Sequence, residues 1–253
     1  MAKLSDIIAD LDRLLDPDDF ADYGPNGLQI PGSEEVTTIV TGVSAQAELF
    51  DAAIARGAQL VVVHHGLLWD AAPRHISRML AARLRLLLAH DIGLAAYHLP
   101  LDAHPEIGNN ALIADGLGCA QREPFGRHGG RTIGVAGRFA SGGVTIAELL
   151  ERVRALTGRE PLVFDAGPPR VTSIGIVSGG GSGSLAEAIE AGLDAFMTGE
   201  PTERVMAEAR EAGIHFIAAG HYATETFGVR RLGELIAERF GVQHTFVDLP
   251  NPI

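Results

Sequence analysis

Leu60-Val61-Val62-Val63-His64-His65-Gly66 decides the fold. Its continuous apolar run is typical of a strand covered on both faces, as in a parallel sheet. The run stops on two adjacent imidazoles. Ligands in open α/β sheets bind outside the carboxyl ends of the strands. The same seven residues therefore suggest a fold and a place for chemistry.

Strands and helices alternate on either side of this run. Residues 38–43 are β-branched and apolar and predict a strand; 45–56 predict a helix closed by Gly57. Downstream, 75–90 carry Ile76, Leu80, Leu84 and Leu87 on one helical stripe, and 92–97 are a second apolar strand. Upstream, Leu4, Ile7, Ile8, Leu11, Leu14 and Leu15 recur at helical spacing until Asp16-Pro17. A turn at 24–27 then leads into a short strand at 28–30. Beyond 123 the pattern changes: a strand at 132–139, a helix at 144–156 and a short run at 162–164 suggest a small sub-lobe over 123–169. Alternation resumes with strands at 171–177, 194–198, 214–219 and 242–247, separated by helices at 184–191, 203–211 and 227–240. Strand–helix order of this kind implies parallel sheet with right-handed crossovers.

The second run resembles the first. Val36-Thr37-Thr38-Ile39-Val40 lines up with Val171-Thr172-Ser173-Ile174-Gly175, and without a gap 53–66 falls on 188–201. His64 and His65 then match Gly199 and Glu200. Further on, His98 and Asp102 match His221 and Glu225, each pair four residues apart. The expected fold is α/β, with two similar βαβαβ-type halves, mostly parallel sheet, and a metal site between them at the strand carboxyl ends. The halves are 1–122 and 123–253.

Composition limits the function. The 253 residues carry a net charge of -12 and no Lys/Arg run, which disfavours nonspecific binding to nucleic acid. The single cysteine, Cys119, excludes an intrachain disulfide framework and fits a reducing, cytoplasmic setting; it is expected to be buried. The N-terminus, with Asp6, Asp10, Asp12 and Asp16 breaking its apolar stripe, is not a signal peptide, and no apolar run is long enough to span a bilayer.

Ligand-type side chains gather at the strand ends. His64 and His65 follow one strand, His98 and Asp102 the next, Glu200 another, and His221 and Glu225 a fourth. Adjacent histidines leave a strand in opposite directions, so one pair can serve two ions. His221 and Glu225 share a face if a helix begins there. Imidazole with carboxylate and no thiolate suits Zn, Mn, Fe, Co or Ni. A carboxylate can bridge two ions roughly 3.5–4 Å apart, the spacing of two-metal hydrolytic sites. His98 and Glu200 are the candidate proton carriers. The 178–184 loop, Ser-Gly-Gly-Gly-Ser-Gly-Ser, lies between a strand and a helix. It lacks the lysine of a P-loop, so a tight turn is the first expectation and a phosphate cradle the second. Trp69, just past the histidines, either walls the site or packs, and packing is the first expectation.

The motifs also carry a family likeness. PNGLQIPG at 25–32, HHGLLW at 64–69, YHLPLDAHPEIGNN at 97–110, TGEPTERV at 198–205 and GHYATE at 220–225 run in order across nearly the whole chain. Together they resemble the GTP cyclohydrolase type-two homologue family, also called the interacting-factor-three family, in its short form. The resemblance implies a dinuclear metal centre in a hexameric ring, a trimer of dimers. It implies that His64 and Asp102 bind one ion, His65 and His221 the other, and that Glu225 bridges both. One departure is Val43-Ser44-Ala45-Gln46, where relatives often carry an aspartate. Two functions follow as expectations: a metal-dependent hydrolase acting on a nucleotide or related small molecule, or a non-enzymatic metal-binding ring or scaffold.

Overall fold

The computed structural model describes every residue of the chain except Arg74 and Ser141. The chain forms two compact units, 1–101 with 228–249, and 102–227 with 250–253.

In the first unit, helix α1 (Leu4–Leu15) buries Leu4, Ile7, Leu11 and Leu15, the stripe expected from their spacing. Strand β1 (Gly27–Ile30) follows. The apolar run that ends on two histidines is strand β3 (Leu60–His65), preceded by β2 (Thr38–Ser44) and helix α2 (Ala47–Ala55), and followed by α3 (Arg78–Ala89) and β4 (Gly93–Ala96). Helix α3 begins later than its apolar stripe, because Ser77 caps it by accepting from the Leu80 N–H. Val40, Val61, Val63, Leu94 and Ala96 bury one face of the sheet with Leu49, Phe50 and Leu87 of the helices. Ile39, Leu60, Val62 and Ala95, at the alternate positions, are buried as well. Burial of both faces is why the strands read as unbroken apolar runs.

Helix α4 (Leu99–Ala103) carries the chain into the second unit. Helix α5 (Asn109–Leu117), strands β5 (Cys119–His128) and β6 (Arg131–Phe139), helix α6 (Ile146–Thr157) and strand β7 (Leu162–Phe164) come next. The half boundary expected at 122/123 falls inside β5. Strands β6 and β7 are built into the unit's main sheet, so 123–169 does not stand apart from it. The alternation then runs β8 (Ser173–Val177), α7 (Leu185–Glu190), β9 (Ala195–Thr198), α8 (Val205–Ala212), β10 (His215–Ala218) and α9 (His221–Thr224). Two apolar clusters share these strands: Ile174, Ile176, Ala195, Met197 and Ile217 in one, Val177, Phe196, Phe216 and Ala218 in the other. Helix α10 (Thr226–Phe240) leads back to the first unit, whose sheet is completed by β11 (Gln243–Phe246).

Sheet topology repeats. The first unit is ordered β11-β2-β3-β4-β1 and the second β7-β10-β9-β8-β6-β5. In each, three consecutive strands run parallel, and the third is flanked by an antiparallel strand from earlier in the chain, β1 or β7. The entry to each repeat is pinned alike. Gln59 Oε1 accepts from the Thr37 and Thr38 N–H groups at 2.9 and 3.0 Å. Asp194 Oδ2 accepts from Thr172 and Ser173 at 2.7 and 3.1 Å. These pairs are the ones the gapless alignment superimposes.

Candidate metal centre

In the first unit, β3 ends on its two histidines. His64 is fully buried, and its Nδ1–H donates to the Tyr97 carbonyl at 3.0 Å. That carbonyl can only accept, so the proton sits on Nδ1 and Nε2 keeps its lone pair. The carbonyl is itself well fixed. Tyr97 is buried, and its hydroxyl donates to Asp12 Oδ1 at 2.7 Å. Burial first, and Asp12 second, push this phenol up, so it stays neutral. His65 Nδ1 lies 3.2 Å from Ser44 Oγ at the end of β2.

The two imidazoles do not diverge as strand alternation alone would have them. Their centroids are 4.7 Å apart, and His98 lies 4.9 and 5.4 Å from them. His65 is the last residue of its strand. One ring nitrogen from each of His64, His65 and His98 lies within 4.8 Å of the others. Trp69 is at this group rather than in the core, with its centroid 5.9 Å from His65 and 5.4 Å from His98 and its indole N–H on Gly66 O at 3.0 Å.

His98 is held by a residue that sequence reasoning missed. Its Nδ1 is 2.6 Å from Asp22 Oδ1, and its backbone N–H donates to Asn26 Oδ1 at 2.7 Å. Asn26 Nδ2 and the Leu99 N–H both donate to Asp22 Oδ2 at 2.9 Å. Burial alone would raise the Asp22 carboxyl. The hydrogen bond and charge of His98, with Asn26, outweigh it and hold the group at about 2. Asp22 is therefore a carboxylate at neutral pH, and His98 donates to it from Nδ1.

The second unit supplies the carboxylates. Asp102 is buried on α4, and its Oδ1 accepts from Asn109 Nδ2 at 2.7 Å and Ser178 Oγ at 3.0 Å. Asn109 and Asn110, which open α5, are fully buried, and Asn110 Oδ1 receives the Ser178 N–H at 2.7 Å. His221, on the one-turn helix α9, stands between two carboxylates. Its Nδ1 is 3.3 Å from Glu200 and its Nε2 3.2 Å from Glu225. Glu225 foremost, against burial and with help from Glu200, pushes this imidazole up to about 9. Glu200 thus acts on His221 from the opposite ring nitrogen, the position an orienting carboxylate takes behind a metal-bound imidazole.

The glycine loop has a role here other than the one weighed from sequence. Gly179 has φ +59°, and a Cβ there would overlap Glu225 Oε1. Its N–H donates to Thr224 Oγ1 at 3.0 Å. The loop admits the Glu225 carboxylate by having no side chain. After it come a 3-10 turn (Gly181–Ser184) and the short α7.

Other histidines are accounted for locally: His215 by Asp165 and the Pro168 carbonyl, His244 by Thr41. Cys119 is half-buried rather than buried, and burial foremost, with Asp115, pushes its thiol up to about 11, which leaves it protonated. Among the described residues no helix is long and apolar enough to cross a membrane.

The fold and these groups define an α/β protein of two repeated units whose strand ends carry imidazoles and carboxylates of metal-ligand type. A model of the Duf34/NIF3 (NGG1p interacting factor 3) family matches residues 2–252, and the chain belongs to that family. It is 45% identical, over 98% of either chain, to a Pseudomonas aeruginosa protein named GTP cyclohydrolase 1 type 2 homolog. Among solved structures it matches one described as "Structural genomics, protein ybgI, unknown function", at 41% identity and TM-score 0.93, covering 99% of this chain and 100% of that one. TTHA1606 from Thermus thermophilus matches at 36% identity and TM-score 0.90, with the same coverage.

Proposed function

We propose that the chain is a dinuclear divalent-metal-dependent hydrolase acting on a nucleotide or related small molecule, with His64, His65, Asp102, His221 and Glu225 as ligands. One observation carries this reading: four of the five already have an outer partner of the kind that orients a ligand. The Tyr97 carbonyl serves His64, Ser44 serves His65, Asn109 and Ser178 serve Asp102, and Glu200 serves His221. For the fifth, Gly179 leaves the space that Glu225 fills.

Divalent ions held by such a set supply Lewis-acid activation of water and neutralise charge on the attacked group. The chain's own residues supply the rest. His98, oriented at Nδ1 by Asp22, presents Nε2 as a candidate proton carrier. Glu200, partly exposed on the Nδ1 side of His221, is the second candidate proton carrier. The nucleotide preference is drawn from the name of the Pseudomonas relative. The reading includes a cytoplasmic homohexamer, a trimer of dimers, which light scattering at micromolar concentration would contradict by returning a monomer.

The test is elemental analysis of purified protein, with a hydrolysis screen over nucleotides and phosphoesters on wild type and Glu225→Ala. About two ions per chain, and turnover lost in the variant, are expected. Two ions without turnover on any substrate would move the function to metal binding or scaffolding. No metal in protein never exposed to chelator would overturn the reading.

A further inference from the structure

We propose that the first unit by itself captures one divalent ion on three imidazoles, His64, His65 and His98, before the ligands of the second unit engage. The proposal rests on the metal-binding reading above and adds His98, which lies outside the five-residue set.

The three rings share one geometry. Each has an oxygen at Nδ1: the Tyr97 carbonyl at 3.0 Å, Ser44 Oγ at 3.2 Å and Asp22 Oδ1 at 2.6 Å. A carbonyl and an ionised carboxylate only accept, and a hydroxyl can accept. All three imidazoles can therefore keep the proton on Nδ1 and turn the Nε2 lone pair to a ligand. A backbone carbonyl and a carboxylate are the usual outer partners of a metal-bound histidine. One ring nitrogen from each of the three lies within 4.8 Å of the others, so three imidazoles already converge on one place. Three imidazoles with one open position are a sufficient set for zinc or cobalt. The lone pair that ligates from His98 is the one its proton-carrying role would use. The two roles then belong to different loading states.

The experiment uses the full chain carrying Asp102→Asn, His221→Gln and Glu225→Gln, with cobalt(II) as the probe. Equilibrium dialysis and visible ligand-field absorption are the readouts, and circular dichroism checks the fold. We expect about one cobalt per chain with a three-nitrogen spectrum. Adding His98→Ala should weaken binding by about 100-fold and change that spectrum, and Asp22→Asn should weaken it about 10- to 100-fold. Cobalt bound equally with and without His98→Ala overturns the proposal. So does a folded triple variant that binds none while wild type binds two, an outcome that leaves the metal-binding reading standing. Wild type without metal removes both. If the triple variant does not fold, His98→Ala alone decides: loss of affinity for the first cobalt equivalent supports the capture site, and an unchanged first equivalent overturns it.

Discussion

Ser44 and Gly179 occupy the same place in the two repeats, just at the carboxyl end of the first parallel strand, and they do opposite things. Ser44 offers a hydroxyl to His65, the last residue of the neighbouring strand. Gly179 offers an empty space, into which Glu225 reaches. The neighbouring strand differs in step. It ends on His64-His65 in the first unit, whereas in the second Gly199 and Glu200 stand at the matching positions, and a Cβ on Gly199 would lie 2.6 Å from the Gly179 carbonyl. One backbone plan thus presents two adjacent imidazoles on one copy and a close-packed carboxylate on the other.

Filling the glycine space is the largest way to break this comparison. In Gly179→Ala the new Cβ meets Glu225, and the left-handed backbone adds strain of about 1 kcal/mol. Glu225 must move, so we expect metal affinity to fall by about 100-fold or more, roughly 3 kcal/mol, in metal-competition titrations. Gly180→Ala is the control. A Cβ there would come no nearer than 3.5 Å to Glu200, at φ -80°, and affinity should hold. Equal affinity in both variants would show that the glycine space is not needed for metal binding.

That space could not have been read from sequence, whereas much around it could. The parallel strands were legible because burial of both faces leaves continuous apolar runs. The ligand types were legible because they stand directly after those runs. Register was less secure. Sequence matching set His98 against His221, but Ala96 lies level with Val63 and Ala218 with Thr198, which puts His98 level with Gly220. The slip arose because side-chain identity across a gap carries no hydrogen-bond information. Strand β5 was missed because Gln121, Arg122, Glu123 and Pro124 are exposed and give it no alternating pattern. Asp22 was missed because its partner His98 is 76 residues away, and nothing local distinguishes it from a loop aspartate.

A second, smaller prediction sharpens the comparison at the other end of the strands. Gln59 and Asp194 make the same backbone contacts, but only Asp194 titrates. Burial would raise its carboxyl; hydrogen bonds from Thr172 and Ser173 outweigh that and hold it below its ordinary value. A depressed folded value means that the contribution is complete above the unfolded value of about 4 and is lost as pH falls through the folded one. At neutral pH Asp194→Ala should cost about 1–2 kcal/mol in urea unfolding, at the low end for a charged acceptor because the group is only partly buried. The cost should shrink below pH about 4. Gln59→Ala should cost about 1 kcal/mol at every pH. Parallel pH profiles for the two variants would mean that the charge on Asp194 adds nothing to the shared geometry.

The smallest expected effect falls on Ser44. Ser44→Gly makes the first repeat like the second at this position, removing the hydroxyl at 3.2 Å from His65 Nδ1. The side chain is partly buried at a strand end, so stability should change by less than about 1 kcal/mol. Metal affinity should fall about 10-fold, the lower range for loss of an orienting partner, because His65 keeps its place on the strand and loses only the group that fixes its ring. Ser44→Thr, which keeps the hydroxyl, should restore binding. A drop in Ser44→Gly without rescue by threonine would assign the effect to backbone freedom at the strand end, and the hydroxyl would then have no part in presenting His65.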